Sequence, residues 1–200
     1  MYEIIKRCVD FICSFIALIC FLPFFLVIFF IIKLDSKGPV FFIHERLGKG
    51  GKKIKIYKFR TMVDGAESIM KTLPNNIREE YEKNFKLNND PRVTKAGAFL
   101  RETSLDELPQ LINILKGDMS IVGPRPIVEK ELLKYGPYDV RLLTVKPGLT
   151  GYWQVNGRSN TSYDERVSLD MEYIDKRCLI VDLTIILKTL RVVFKKTGAR

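Results

Sequence analysis

An α+β fold is predicted, in which an N-terminal re-entrant membrane helix-break-helix leads into a small domain of helices, short strands and interfacial amphipathic helices. Three observations predict it. Phe11 to Ile32 carries no charged residue. The stretch PVFFIHERLGKGGKKIKIYKFRTM patterns as two strands around a glycine-rich basic loop. The run Thr103 to Pro126, TSLDELPQLINILKGDMSIVGPRP, places apolar residues at helical spacing around a pair of adjacent carboxylates. The boundary is placed after residue 38, giving a membrane segment over 1–38 and a membrane-associated domain on the cytosolic side over 39–200.

Length and charge narrow the classes. Two hundred residues make one ordinary domain with an appended segment. The net charge of +10 suits an anionic membrane surface or a phosphate-rich substrate, and the apolar N-terminus favours these over nucleic acid. Cys8, Cys13, Cys20 and Cys178 show neither a Cys-x-x-Cys pair nor metal-ligand spacing, which points to a reducing compartment. The only histidine, His44, argues against a His-based triad or a His-rich zinc site, and reads as a local hydrogen-bonding residue.

In chain order, the uncharged N-terminal run of 22 residues would extend about 33 Å as a helix, enough to cross a bilayer core. Pro23 falls near its middle, where it removes a hydrogen bond and clashes with the preceding turn. Lys6 and Arg7 precede the run and Lys33 and Lys37 follow it, so positive charge marks no preferred side. A helix that enters, bends at Leu22-Pro23 and returns to the same face is expected, with a spanning helix as the alternative. No small-residue cleavage site follows, which argues against a signal peptide.

A hairpin follows, its loop Gly48-x-Gly50-Gly51 lacking the spacing of a Walker A sequence. Lys58 and Arg60 alternate with Tyr57 and Phe59, placing both cations on one strand face that suits phosphates or lipid headgroups. Residues 64–73 and 77–85 read as two short helices around Pro74-Asn75-Asn76, with a turn at Asn88 to Pro91. Arg101 follows them, able to pair with the carboxylates or to grip a diphosphate.

Asp106 and Glu107 then open a helix whose stripe is Leu105, Leu108, Leu111, Ile112 and Leu115. Pro109 fits only the first turn, so both carboxylates stand at or just before the N-terminus. There they suit cation binding and attack on phosphorus, while Ser104-x-x-Glu107 equally fits a capping box. Gly148, Gly151 and Gly157 make two turns around a short strand whose Trp153, Gln154, Asn156 and Arg158 suit either a ligand wall or a core. Asp164, Glu165, Asp170 and Glu172 read as a solvated helix face, and Ile180 to Lys196 as a basic amphipathic interfacial helix.

Taken together, Thr103-Ser-Leu-Asp-Glu-Leu-Pro-Gln-Leu111, Lys116-Gly-Asp-Met-Ser120, Gly123-Pro-Arg-Pro126, Tyr57-Lys-Phe-Arg-Thr-Met62 and Pro147 to Arg158 resemble the bacterial sugar transferase family of monotopic phosphoglycosyltransferases. The resemblance spans nearly the whole chain. It implies transfer of a sugar 1-phosphate from a UDP-sugar to a polyprenol phosphate such as undecaprenyl phosphate, with release of UMP and use of Mg²⁺. It also implies a monotopic protein on the cytosolic face of the bacterial inner membrane, in contact with membrane lipids, with a homodimer as a candidate assembly. In the family the helix break commonly carries Ser-Pro; here the pair is Leu22-Pro23.

Carried over by motif, Asp106 is expected as nucleophile and metal ligand, and Glu107 as support for the metal or the incoming phosphate. Lys58, Arg101 and Arg125 match phosphate-binding positions, and Arg158 a nucleotide-binding one. The C-terminal pattern around Trp153 and Thr197-Gly-Ala is more similar to transferases for simple hexoses, galactose or glucose, than for N-acetylhexosamines. A membrane-surface binding protein without chemistry is the alternative from another class.

Overall fold

The computed structural model describes residues 1–84, 87, 90–156 and 161–194. Its backbone mixes helices with two small sheets. Helix α1 (Tyr2–Asp35) is continuous through Pro23, where an interruption was expected. Along it, Asp10, Ser14, Ile28 and Ile32 are buried, and Ala17, Leu18 and Phe25 pack between them. That spacing keeps one helix face on the rest of the protein from end to end. The remaining faces expose Phe, Ile and Leu side chains along most of the length, and α1 alone among the described helices is long and apolar enough to cross a membrane.

Strands β1 (Phe41–Leu47) and β2 (Lys53–Phe59) form the expected antiparallel hairpin, with Phe42 opposite Lys58 and His44 opposite Ile56. Ile54 and Ile56 on β2 are buried against Leu111, Ile114 and Met119, and Phe59 against Ile28, Ile32, Val40 and Leu100. Each such side chain contributes about 1.5–3 kcal/mol when fully buried, so the hairpin is held by packing on both α1 and the helix that follows the dyad. Two polar helices come next, α2 (Ala66–Thr72) and α3 (Asn75–Asn84), followed by α4 (Lys95–Thr103). The predicted turn at residues 88–91 lies partly outside the described residues.

Helix α5 (Gln110–Lys116) begins just past Pro109, as the missing N–H of proline requires, and ends at Gly117 with φ +87°. Its buried face is Leu111, Asn113 and Ile114; Ile112, predicted in the stripe, is exposed. Strand β3 (Ser120–Val122) follows, then α6 (Glu129–Leu132), α7 (Asp139–Leu142) and β4 (Gly148–Thr150), which pairs parallel to β3. Three glycines let these backbones touch. A Cβ on Gly123, Gly148 or Gly151 would collide with main-chain atoms of the facing segment. Tyr152–Asn156 is a short helix, α8, where a strand was expected, and it buries Trp153. The chain ends in α9 (Tyr163–Lys176) and α10 (Leu179–Phe194), whose Val167, Met171, Tyr173, Ile174 and Ile185 share a core with Val122, Ile127 and Leu142.

Candidate active site

The dyad sits on a 3-10 turn, Leu105–Glu107, between α4 and α5. Ser104 precedes it in the left-handed region (φ +58°) and its side chain accepts no capping hydrogen bond, so the capping box that Ser104 and Glu107 equally fitted does not form. A reciprocal box forms instead at Ser162 and Glu165, at the start of α9. The Glu107 carboxylate turns to Lys58, whose Nζ donates to it at 2.6 Å. Burial would raise Glu107, but the charges of Lys58 and Arg125 outweigh it and hold the carboxyl below its usual range. Asp106 differs. It is 9 % exposed, makes no hydrogen bond among the described residues, and is pushed up to about 6 by burial and by the adjacent Glu107, against the pull of Lys58, Arg101 and Arg125.

Each cation reaches the dyad by its own route. Lys58 lies one residue from the end of β2, and β2 is tied to α5 by Asn113. The side chain of Asn113, fully buried, accepts from Tyr57 N at 3.0 Å and donates to Lys55 O at 2.6 Å. Arg101 is set by α4, whose Thr94 side chain caps Gly97 N while Thr94 N donates to Thr61 O. A Cβ on Gly97 would strike the Thr61 carbonyl, so only glycine lets α4 approach this closely. Arg101 then donates from Nε to Thr61 Oγ1 at 2.9 Å. Arg125 is strapped from two sides: Gly148 N donates to Pro124 O at 2.8 Å, and Leu47 N to Ile127 O at 2.9 Å.

Five of the six residues singled out in the sequence therefore meet in one place; Arg158 lies outside the described residues. Arg60 does not join them. Its guanidinium is buried on the end of α1, donating to Lys37 O and Ser36 O at 2.7 Å each, so it is a clamp and not part of a phosphate-facing surface.

Sequence reasoning missed several neighbours. His44 accepts a 3.2 Å hydrogen bond from Arg46, the local role expected of it, but it also stands on the sheet face of Lys58. Burial and the charges of Arg46, Lys58 and Arg125 push it down to about 4. Trp153 is buried, with the guanidinium groups of Arg166 and Arg125 over its ring at 4.7 and 5.9 Å. Behind them Asp170, predicted on a solvated face, is 1 % exposed. It accepts from Tyr135 OH at 2.8 Å, its second oxygen has no partner, and burial pushes it up to about 7. The sign that would have found it is its spacing with Val167, Met171 and Ile174, which marks one buried helix face.

This arrangement can do particular chemistry. A buried carboxylate with no hydrogen bond, facing three cations, is poised to meet an anionic electrophile whose charge those cations neutralise. Residues 1–196 match the bacterial sugar transferase family. The chain belongs to that family. An undecaprenyl-phosphate galactose phosphotransferase of Salmonella typhimurium is 46 % identical over 198 residues, which is 98 % of this chain and 41 % of the relative. The exopolysaccharide production protein ExoY of Rhizobium meliloti is 44 % identical over 197 residues, 97 % of this chain and 87 % of its own. A UDP-galactose-lipid carrier transferase of Erwinia amylovora is 43 % identical over 200 residues, 98 % of this chain and 41 % of its own. The sugar transferase thus spans about two fifths of the Salmonella and Erwinia relatives and most of the Rhizobium one.

Proposed function

We propose that this sugar transferase moves a hexose 1-phosphate from a UDP-hexose, such as UDP-galactose or UDP-glucose, to undecaprenyl phosphate. The observation that carries the reading is the convergence of Lys58, Arg101 and Arg125 on the unpartnered Asp106 carboxylate. In the first step an Asp106 oxygen attacks the phosphorus that bears the sugar, the bond from that phosphorus to the bridging oxygen breaks, and UMP leaves with the bond's electrons. In the second, an oxygen of undecaprenyl phosphate attacks the same phosphorus and frees the Asp106 carboxylate, giving the lipid diphosphate sugar. Lys58 and Arg125 neutralise the diphosphate, and Arg101 the third face of the site. The names of the Salmonella and Erwinia relatives support galactose as the sugar.

Mg²⁺ fits this donor set. It binds through one or two carboxylates together with substrate phosphates and water, and the adjacent Asp106 and Glu107 supply such a pair. Among the described residues no group of three or more His, Cys, Asp or Glu side chains forms a cage, which suits an ion arriving with the nucleotide. When bound, it would offset negative charge on the diphosphate.

The membrane arrangement proposed with this activity is monotopic, on the cytosolic face of the inner membrane. Both ends of α1 are fixed to the same domain, Lys6 and Arg7 on α10 and α5, and Asp35 on Ala96 of α4. A bend at Leu22-Pro23 would leave arms of about 16 Å, the depth of one leaflet.

The test is acceptor-free. Purified protein with Mg²⁺ and UDP-hexose should release about one equivalent of UMP and gain the mass of a hexose phosphate on Asp106. Asp106→Asn should do neither. Failure of both across UDP-galactose, UDP-glucose and their N-acetyl forms would leave a membrane-surface binding protein.

A further inference from the structure

We propose that Phe42 is the platform on which the isoprenoid chain of the lipid acceptor lies as its phosphate reaches the dyad; this rests on the reaction proposed above. Strand β1 opens with Phe41, Phe42 and Ile43, which are 45, 43 and 52 % exposed. Three apolar residues in a row at a sheet edge invite aggregation unless something covers them. Their position says what does. Alternation along the strand puts Phe42 on the same sheet face as His44 and directly opposite Lys58, the cation that holds Glu107.

The Phe42 ring meets His44 edge-on, with centroids 5.6 Å apart. Burial and the neighbouring charges of Arg46, Lys58 and Arg125 keep that imidazole neutral at pH 7, so the pair presents aromatic surface with no charge of its own. On the opposite face Phe41 stacks on Phe59 at 5.4 Å, and Phe59 lies 5.1 Å from Phe25 of α1. The aromatic row that reaches the apolar helix, Phe41, Phe59 and Phe25, thus occupies that other face, and Phe42 with His44 is left as the aromatic surface on the face of Lys58. The ligand that matches has a phosphate at one end, for Lys58, and an apolar chain at the other, lying over Phe42. A nucleotide sugar has the first feature and lacks the second.

The full-length chain in detergent is assayed as Phe42→Ser and Phe42→Leu, with undecaprenyl phosphate and with a phosphate bearing a single isoprene unit. Serine should raise KM for the long acceptor about tenfold, which is about 1.4 kcal/mol of lost contact. Its KM for UDP-hexose, its acceptor-free UMP burst and its rate with the short acceptor should stay within about twofold of the unaltered protein. Leucine should retain most of the long-chain affinity. An unchanged long-chain KM in the serine variant would overturn the platform. So would equal losses on both acceptors, which signal a distorted site, or an effect confined to vesicle binding or to self-association, which would assign the patch to bulk lipid or to a second copy. An absent UMP burst in the unaltered protein would remove the proposed reaction itself, and the platform with it.

Discussion

At Asp106, burial and the adjacent Glu107 work against the charge, and Lys58, Arg101 and Arg125 work for it. The balance has a pH signature. In the unfolded chain an aspartate loses its proton near pH 4, whereas in the folded protein Asp106 keeps it up to about pH 6. The folded state therefore binds more protons across that window, and stability falls as pH rises through it. Asp106→Asn removes the loss. The variant should melt with the unaltered protein below about pH 4 and at a higher temperature above pH 6, by on the order of 2–3 kcal/mol at pH 8. The acceptor-free UMP burst should show the complementary profile, its rate constant rising through pH 6 as Asp106 ionises. A lower melting temperature at pH 8 in a folded Asn variant would refute this account of the carboxylate.

At the scale of elements, the dyad is aimed by the contact between α5 and β2, and Asn113 is its fastening. Asn113→Leu keeps the volume but leaves the part-buried Tyr57 N–H and Lys55 carbonyl without this partner, at about 1–3 kcal/mol each. Chemical denaturation should read a loss of roughly 2–5 kcal/mol, and UMP release should fall even where the variant is fully folded. The hairpin, α5 and the position of Asp106 and Glu107 before Pro109 were legible in the sequence, because alternation, helical period and proline chemistry are local. Asn113 was not: a polar residue inside an apolar helical run reads as surface until the backbone it bonds is known. The Ser104 capping box failed for a related reason, since Lys58, 49 residues away, competes for Glu107 more strongly than the nearby backbone does. Asp170 and Arg60 were likewise read as exposed charges and are buried because partners distant in sequence, Tyr135 and the end of α1, receive them.

For the whole molecule the deciding feature is that the apolar helix is fastened at both ends. Near its start Asp182 of α10 accepts from Tyr2 OH at 2.9 Å and from Lys6 at 2.7 Å, Arg7 donates to the last carbonyls of α5, and Asp10 accepts from Ile121 N at 3.0 Å. Near its end Ile28 and Ile32 are buried with Val40, Phe59 and Leu100, and Asp35 accepts from Ala96 N at 3.3 Å. A helix that crossed the bilayer would carry one of these sets to the far side and break it. Burying Asp10 without the Ile121 N–H, and leaving Asp182 with the Tyr173 hydroxyl but without Tyr2 and Lys6, would cost several kcal/mol. Both ends should therefore face the cytosol. With Cys8, Cys13, Cys20 and Cys178, all free and exposed, replaced by serine, Glu3→Cys and Lys37→Cys variants report the two ends separately. An impermeant maleimide should label neither in intact cells and both in inside-out vesicles. Labelling of one end from outside would mean that α1 spans the bilayer and that its contacts with α5, β3 and α10 are lost in the membrane.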